Sequence, residues 1–193
     1  MRIVSGDLRG SALYITKDKT TRPLKDMVRE SIFNLLHHSR KISFKLEKSD
    51  ILDLYSGTGS FGLECLSRKA NKVIFIEKEK EAIKILKKNI EKLKMENRSK
   101  IFFGDVVEIF EKKNRNIFFQ SSKMSYNLIF CDPPFKDMNI NKLLRLIIEK
   151  KLLKKNGAII LHRHKNSKEK LINHFKIIEE RVYGISKITF GEV

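Results

Sequence analysis

The sequence predicts an α/β fold: a Rossmann-like, mainly parallel sheet of seven strands that ends in an antiparallel hairpin, with a small N-terminal hairpin-helix extension. Three observations predict it. Residues 50–62, Asp-Ile-Leu-Asp-Leu-Tyr-Ser-Gly-Thr-Gly-Ser-Phe-Gly, form an apolar strand that runs straight into a glycine-rich turn. Strand-like and helix-like stretches then alternate regularly, which implies parallel strands with helices on both faces. The last stretches, Lys176 to Val182 and Ile185 to Phe190, read instead as a hairpin turned at Tyr183-Gly184, and an all-parallel dinucleotide fold has no obvious reason to end in one.

At 193 residues and 41% hydrophobic, the chain is long enough to bury a core, and its length suits one domain with a small appendage. It contains no apolar run of about 18 residues and no charged-then-apolar leader, so a cytoplasmic protein without a membrane partner is expected. Cys65 and Cys131 stand far apart in apolar surroundings, which suits reduced packing thiols. The net charge of +18 is the imbalance expected of a protein that meets a polyanion. Lys outnumbers Arg by 30 to 11, however, a bias that AT-rich coding would impose on any protein. Charge alone therefore leaves nucleic-acid binding open.

Taken in order, residues 2–15 alternate short apolar runs with Gly6 and Gly10 and read as a small hairpin. Residues 20–36 place Leu24, Met27, Val28, Ser31, Ile32, Leu35 and Leu36 on one helical stripe, with Pro23 as an opening residue and Lys25, Arg29 and Arg22 on or beside the other face. Strands follow at 50–54, 72–77, 100–105 and 126–131. Between them lie a helix opened by the glycine turn, an amphipathic helix over 79–93 with Ala82, Ile83, Leu86, Ile90 and Leu93 inward, and a short helix at 106–111. Residues 112–125 read as an exposed loop in which Ile117, Phe118 and Phe119 are able to dock. A helix at about 138–153 stops at Asn156-Gly157, a fifth strand covers 158–162, and a further helix is expected over 166–175.

The turn reads Gly57-x-Gly59-x-x-Gly62, and Glu77 follows 20 residues after Gly57, a literal match to a dinucleotide fingerprint. Asp53 argues against that ligand, because a carboxylate four residues before the first glycine would repel a pyrophosphate and welcome an ammonium. This points to S-adenosylmethionine in place of NAD. Asp53, Glu77 and Asp105 fall at the ends of three successive strands, which an open parallel sheet brings to one crevice. Asp53 is assigned to the cofactor's ammonium, directly or through water, Glu77 to the ribose hydroxyls and Asp105 to the adenine amine. Tyr55, Gly57 and Gly59 complete the candidate cofactor set. Any one of these acids is equally well explained as a helix cap; the set of three beside a glycine turn is not.

Asp132-Pro133-Pro134-Phe135 carries the candidate chemistry. Two of the chain's three prolines are adjacent here, at a strand end opening on the same crevice. Prolines lack N–H donors, so the Asp132 carboxylate and the Pro133 carbonyl form a pocket that only accepts hydrogen bonds and suits an amino group. Two acceptors holding the hydrogens of an exocyclic amine would turn its lone pair toward an electrophile, and Phe135 offers a face on which a base can stack. A rigid Pro-Pro turn with a packed Phe is the bland alternative. The five histidines show no ligand spacing, so no metal is expected, and His162-Arg-His164 reads as a cationic surface strand.

With these motifs in view, Arg2-Ile-Val-Ser-Gly6, Arg9-Gly10, the segment from Thr21-Arg-Pro to Phe-Asn34, and Asp53 to Arg68 closely resemble the bacterial RsmD family. The resemblance implies methylation of the N2 amine of one guanine in 16S ribosomal RNA, with 16S RNA or the assembling 30S subunit as partner; a monomer is expected, although the residues themselves do not reveal the oligomeric state. It implies an RNA-facing unit over 1–40, with Arg2, Arg9, Arg22 and Arg29 as substrate contacts, and an AdoMet-dependent methyltransferase domain over 41–193. Two positions depart from the family: Leu161-His-Arg-His-Lys165 stands where acidic residues are more usual, and Lys69 replaces a common glycine. The competing expectations are a DNA adenine-N6 methyltransferase, an NAD-dependent oxidoreductase, and an RNA-binding assembly factor without catalysis.

Overall fold

The computed structural model describes residues 1–16, 24, 26–42, 45–111, 125–137 and 139–193. Among them seven strands form one sheet: β1 (Asp50–Leu54), β2 (Lys72–Glu77), β3 (Ser99–Phe103), β4 (Tyr126–Cys131), β5 (Leu153–His164), β6 (Lys176–Tyr183) and β7 (Ser186–Glu192). Their spatial order is β3-β2-β1-β4-β5-β7-β6, with the first five parallel and β7 antiparallel to both neighbours. The chain leaves β1 toward β2 on one side and returns to β4 on the other. A crevice therefore opens at the carboxyl ends of β1 and β4.

Alternation along the strands explains the layers. Ile51, Val73, Phe75, Leu128, Phe130 and Ile160 point to one face, while Leu52, Leu54, Ile74, Ile76, Ile129 and Ile159 point to the other. The first face is covered by α1 (Asp26–His38), α2 (Ser60–Ser67) and α3 (Lys80–Lys92), the second by α4 (Val106–Glu111) and α5 (Ile140–Glu149). Phe33 of α1 stacks on Phe61 of α2 at 5.2 Å, and Phe61 stacks on Phe130 of the sheet at 3.9 Å, so a file of rings joins both helices to β4. Both cysteines are buried and unpaired. Among the described residues no helix is long and apolar enough to cross a membrane.

The amino-terminal segment is a loop closed by the antiparallel bridge of Arg2 with Ala12, and it is fastened by charge. Glu64, fully buried in α2, accepts hydrogen bonds from the backbone of Val4 at 2.7 Å and Ser5 at 2.9 Å and pairs with Arg68 at 2.9 Å. Arg29 lies 3.8 Å from the same carboxylate and 2.9 Å from Asp26. Residues Ile3 and Leu13 join the core cluster of the sheet itself. Ile3, Leu13 and the buried residues of α1 thus belong to the same core cluster as one face of the sheet.

Four elements differ from the sequence expectation. The buried stripe of α1 is Val28, Arg29, Ile32, Phe33 and Leu36, whereas Met27 is 62% exposed; the Phe33 ring file and the Arg29–Glu64 pair set the helix rotation. Helix α5 ends at Glu149, and β5 begins at Leu153. Asn156, at φ 62°, and Gly157 form a bulge within β5, where the partner of β4 steps from Leu153 to Ala158, and they do not stop a helix. Residues 166–175 form no helix, because side chains take their backbone groups: Asn141 donates to the Lys170 carbonyl at 2.9 Å and accepts from the Ile172 N–H at 3.1 Å. The expected loop at 112–125 lies almost wholly outside the described residues.

Glu64→Ala would leave the buried Arg29 guanidinium and two backbone N–H groups without their carboxylate. A loss of about 3–5 kcal/mol in unfolding free energy is expected in urea denaturation, with early proteolysis of the first 16 residues.

Candidate active site

The glycine turn and the end of β2 are built as one unit. The Gly57 N–H donates to Glu77 Oε2 at 2.7 Å, and Glu77 Oε1 accepts from the N–H groups of Lys78 and Glu79 at 2.8 and 2.9 Å. Gly59 stands at φ 86°, and a Cβ there would meet Leu86 of α3 at 2.3 Å; a Cβ on Gly62 would meet Phe75 at 2.4 Å. Glycine is required at both places, at the first by conformation as well as space and at the second by the closeness of α2 to the sheet. Asn89 of α3, fully buried, donates to the Thr58 carbonyl in the turn and to the Tyr14 carbonyl in the amino-terminal segment, each at 3.0 Å, and accepts from the Tyr14 N–H at 2.8 Å.

A cavity of about 420 Å³ lies in front of this turn. One side is formed by Tyr55, Gly57, Ile76, Glu77, Gly104 and Val106. Asp132, Pro133, Pro134 and Phe135 form the other, so the two motifs read from the sequence face a common space. Tyr55 takes φ 60°, an uncommon conformation for a non-glycine residue, held at the point where β1 hands over to the turn.

The other three assigned positions are not on the cavity wall. Asp53 is buried behind the turn, where its Oδ2 accepts from the Gly62 N–H of α2 at 3.0 Å. Desolvation by burial raises its carboxyl well above the ordinary value, the Gly62 hydrogen bond opposes this, and the nearby carboxylates of Asp132 and Glu77 reinforce it. In this rotamer Asp53 is shielded from the cavity by the turn it supports. Gly59 is packed beneath α3. Asp105 accepts from the Val107 N–H at 2.9 Å, capping α4, and lies 3.5 Å from Lys78 Nζ.

Strand register brings a further residue to the centre. Leu54 is paired with Cys131 and Cys131 with Leu161, so Asp132 and His162, each the next residue along its strand, stand side by side. Asp132 Oδ1 is 2.7 Å from His162 Nδ1, and His162 Nε2 is 2.8 Å from Ser186 Oγ of β7. Phe135 meets the imidazole edge-on at 5.3 Å. Arg163 is buried too, donating to the Pro134 carbonyl at 3.2 Å and the Asp137 carbonyl at 2.6 Å and pairing with Glu169. The reading of His162-Arg163 as a cationic surface strand is therefore corrected: β7 covers β5, and both side chains turn into the molecule to hold the Asp-Pro-Pro-Phe loop. The sequence signal was a basic pair continuing the apolar run Ala158 to Leu161 without a turn residue between them.

A family model described as conserved hypothetical protein 95 matches residues 1–192. The chain belongs to the RsmD family. Its relatives include the ribosomal RNA small subunit methyltransferase D of Buchnera aphidicola from Baizongia pistaciae, 34% identical over 172 residues that cover 89% of this chain and 80% of that protein. The protein of the same name from Haemophilus influenzae is 30% identical over 185 residues, 96% of this chain and 90% of its own length. Among solved structures, a candidate methyltransferase of Escherichia coli superimposes with a TM-score of 0.81 at 24% identity, over 99% of this chain and 96% of that one. The seven-stranded sheet with its closing hairpin is thus the methyltransferase architecture expected of an RsmD family member.

Of the four arginines assigned to RNA, Arg2 and Arg9 are exposed. Arg29 is fully buried and committed to Glu64 and Asp26, so it is corrected from a phosphate contact to the ion that anchors the amino-terminal segment. Arg22 lies outside the described residues.

Two outcomes are expected from this geometry. Because the folded state holds a proton on Asp53 more tightly than the unfolded chain does, that group's contribution to stability is full at low pH and falls as pH rises above its ordinary value of 3.8. Asp53→Asn should therefore gain stability relative to the parent as pH rises through that window, read from denaturation curves at a series of pH values. Arg163→Met should cost about 1.5–3 kcal/mol and raise amide hydrogen exchange in the loop that follows Asp132.

Proposed function

We propose that this chain transfers a methyl group from S-adenosylmethionine to the exocyclic N2 amine of a guanine in 16S ribosomal RNA during small-subunit maturation. The observation that carries the reading is the Asp132 carboxylate beside two prolines, facing the same cavity as the glycine turn. As a family member the chain is an S-adenosylmethionine-dependent ribosomal RNA methyltransferase. The choice of guanine N2, of 16S RNA or the assembling 30S subunit as partner, and of each residue's role is our reading.

The residues fit that cofactor. Glu77 has about four lone-pair sites, of which three hold backbone N–H groups, and the remainder suits a ribose hydroxyl. Ile76 and Val106 give the same side of the cavity apolar surface for a purine. When bound, the cofactor supplies an activated methyl: the amine's lone pair bonds the methyl carbon, and the carbon–sulfur pair returns to sulfur.

Everything else falls to the chain. Asp132 accepts from one amine hydrogen, turning the nitrogen lone pair out of conjugation with the ring, and takes the proton released as the new bond forms. Pro133 and Pro134 bring no N–H that could compete for that carboxylate. Phe135 offers a ring beside the amine for base stacking. Arg2 and Arg9, exposed on the amino-terminal segment, are suited to phosphate contacts that position the RNA without reading its sequence.

The purified protein with labelled S-adenosylmethionine should methylate 16S RNA or assembling 30S particles and leave duplex DNA unlabelled. Asp132→Ala should lower the rate by on the order of 100-fold or more while cofactor binding, measured by calorimetry, persists. Transfer to DNA and not to RNA, or to neither with cofactor bound, contradicts the proposal.

A further inference from the structure

We propose that His162 is the positioning residue for Asp132: its Nδ1–H holds one carboxylate oxygen, Ser186 fixes its tautomer, and the other oxygen of Asp132 is thereby turned to the target amine. The inference rests on the methyl-transfer reading above. It adds a residue that neither the glycine turn nor the Asp-Pro-Pro-Phe motif contains.

The argument runs through donors and acceptors. A carboxylate only accepts, so an imidazole nitrogen at 2.7 Å from Asp132 Oδ1 makes a hydrogen bond when it carries the proton. With Nδ1 protonated, the neutral ring has a lone pair at Nε2, and a hydroxyl at 2.8 Å is able to donate to it. Ser186 supplies that hydroxyl from β7, on the pair Ser186↔His164 of the β5–β7 ladder. The ring is further held edge-on by Phe135 at 5.3 Å, and His162 and Ser186 are both buried. Asp132 keeps a partly open side chain beside the cavity, and Oδ2 makes none of these bonds.

The consequence is orientation. A free carboxylate rotates about χ2, and its two oxygens share the work of meeting an amine. With Oδ1 fixed by His162, Oδ2 is the oxygen that accepts the amine hydrogen and then the proton as the nitrogen–carbon bond forms. His162 keeps its two protein partners throughout. The electron pair from the carbon–sulfur bond leaves on sulfur, as in the proposed reaction, so no other co-reactant is needed.

The test uses the full chain and two variants. His162→Asn keeps an N–H donor close to the place of Nδ1–H; His162→Leu removes it. Single-turnover transfer from labelled S-adenosylmethionine to 16S RNA is measured alongside cofactor affinity, KM for RNA and the imidazole nitrogen spectrum of the parent at mildly alkaline pH. His162→Leu should lose on the order of 100-fold in transfer rate with cofactor affinity and KM unchanged, and His162→Asn should recover most of it. The spectrum should show a neutral ring protonated at Nδ1, moving toward the Nε2 form in Ser186→Ala or Asp132→Ala. Equal loss in both His162 variants, no loss in either, or a parent ring protonated at Nε2 overturns the inference. A parent that binds cofactor but methylates no RNA sinks the methyl-transfer reading instead, and the spectrum still decides whether His162 holds Asp132.

Discussion

Three carboxylates, Asp53, Glu77 and Asp132, stand at the ends of β1, β2 and β4, and the site depends on keeping their mutual repulsion from opening it. The fold gives each its own donors. Asp53 is sealed against the Gly62 N–H and pushed toward its neutral form, Glu77 is held by the N–H groups of Gly57, Lys78 and Glu79, and Asp132 is held by His162. Burial raises the Asp53 carboxyl well above its ordinary value, whereas Glu77 and Asp132 line the cavity with donors of their own. One acid thus becomes structural, one suits hydroxyls, and one is left able to accept from an amine.

The amino-terminal segment is bound to this arrangement by two buried polar residues on the helices that flank the turn. Glu64 of α2 holds Val4 and Ser5, and Asn89 of α3 joins Tyr14 to Thr58. The segment proposed to meet RNA and the turn proposed to meet cofactor are therefore linked through one side chain, Asn89. A loosened segment would take both Tyr14 partners from Asn89 and leave its buried Oδ1 without the Tyr14 N–H, a cost that favours a fixed relation between the two regions.

Much of this was legible in the sequence because it is periodic or local. The strand at 50–54, the glycine turn, the inward face of α3 and the closing hairpin all rest on short-range patterns, and each is where the pattern puts it. The misplaced features depend on partners distant along the chain. Arg29 reads as one more base on a polar helix face until Glu64, 35 positions later (64 minus 29), is folded beneath it. His162 reads as surface charge until β7 covers β5 and register sets it against Asp132. The segment at 166–175 has helical composition, yet Asn141 and Arg163 claim its polar groups. Asn89 carries a local signal, as a polar residue within the apolar stripe Ala82, Ile83, Leu86, Ile90.

The central claim is that Asp132 and its surroundings select an exocyclic amine of a guanine in ribosomal RNA. It is tested most directly by mass mapping of 16S RNA from cells that carry the intact protein, the Asp132→Ala variant or neither. The account predicts one N2-methylguanine that is present with the intact protein and replaced by unmodified guanine in the other two. Identical 16S maps in all three, or a methyl that persists with Asp132→Ala, would contradict it.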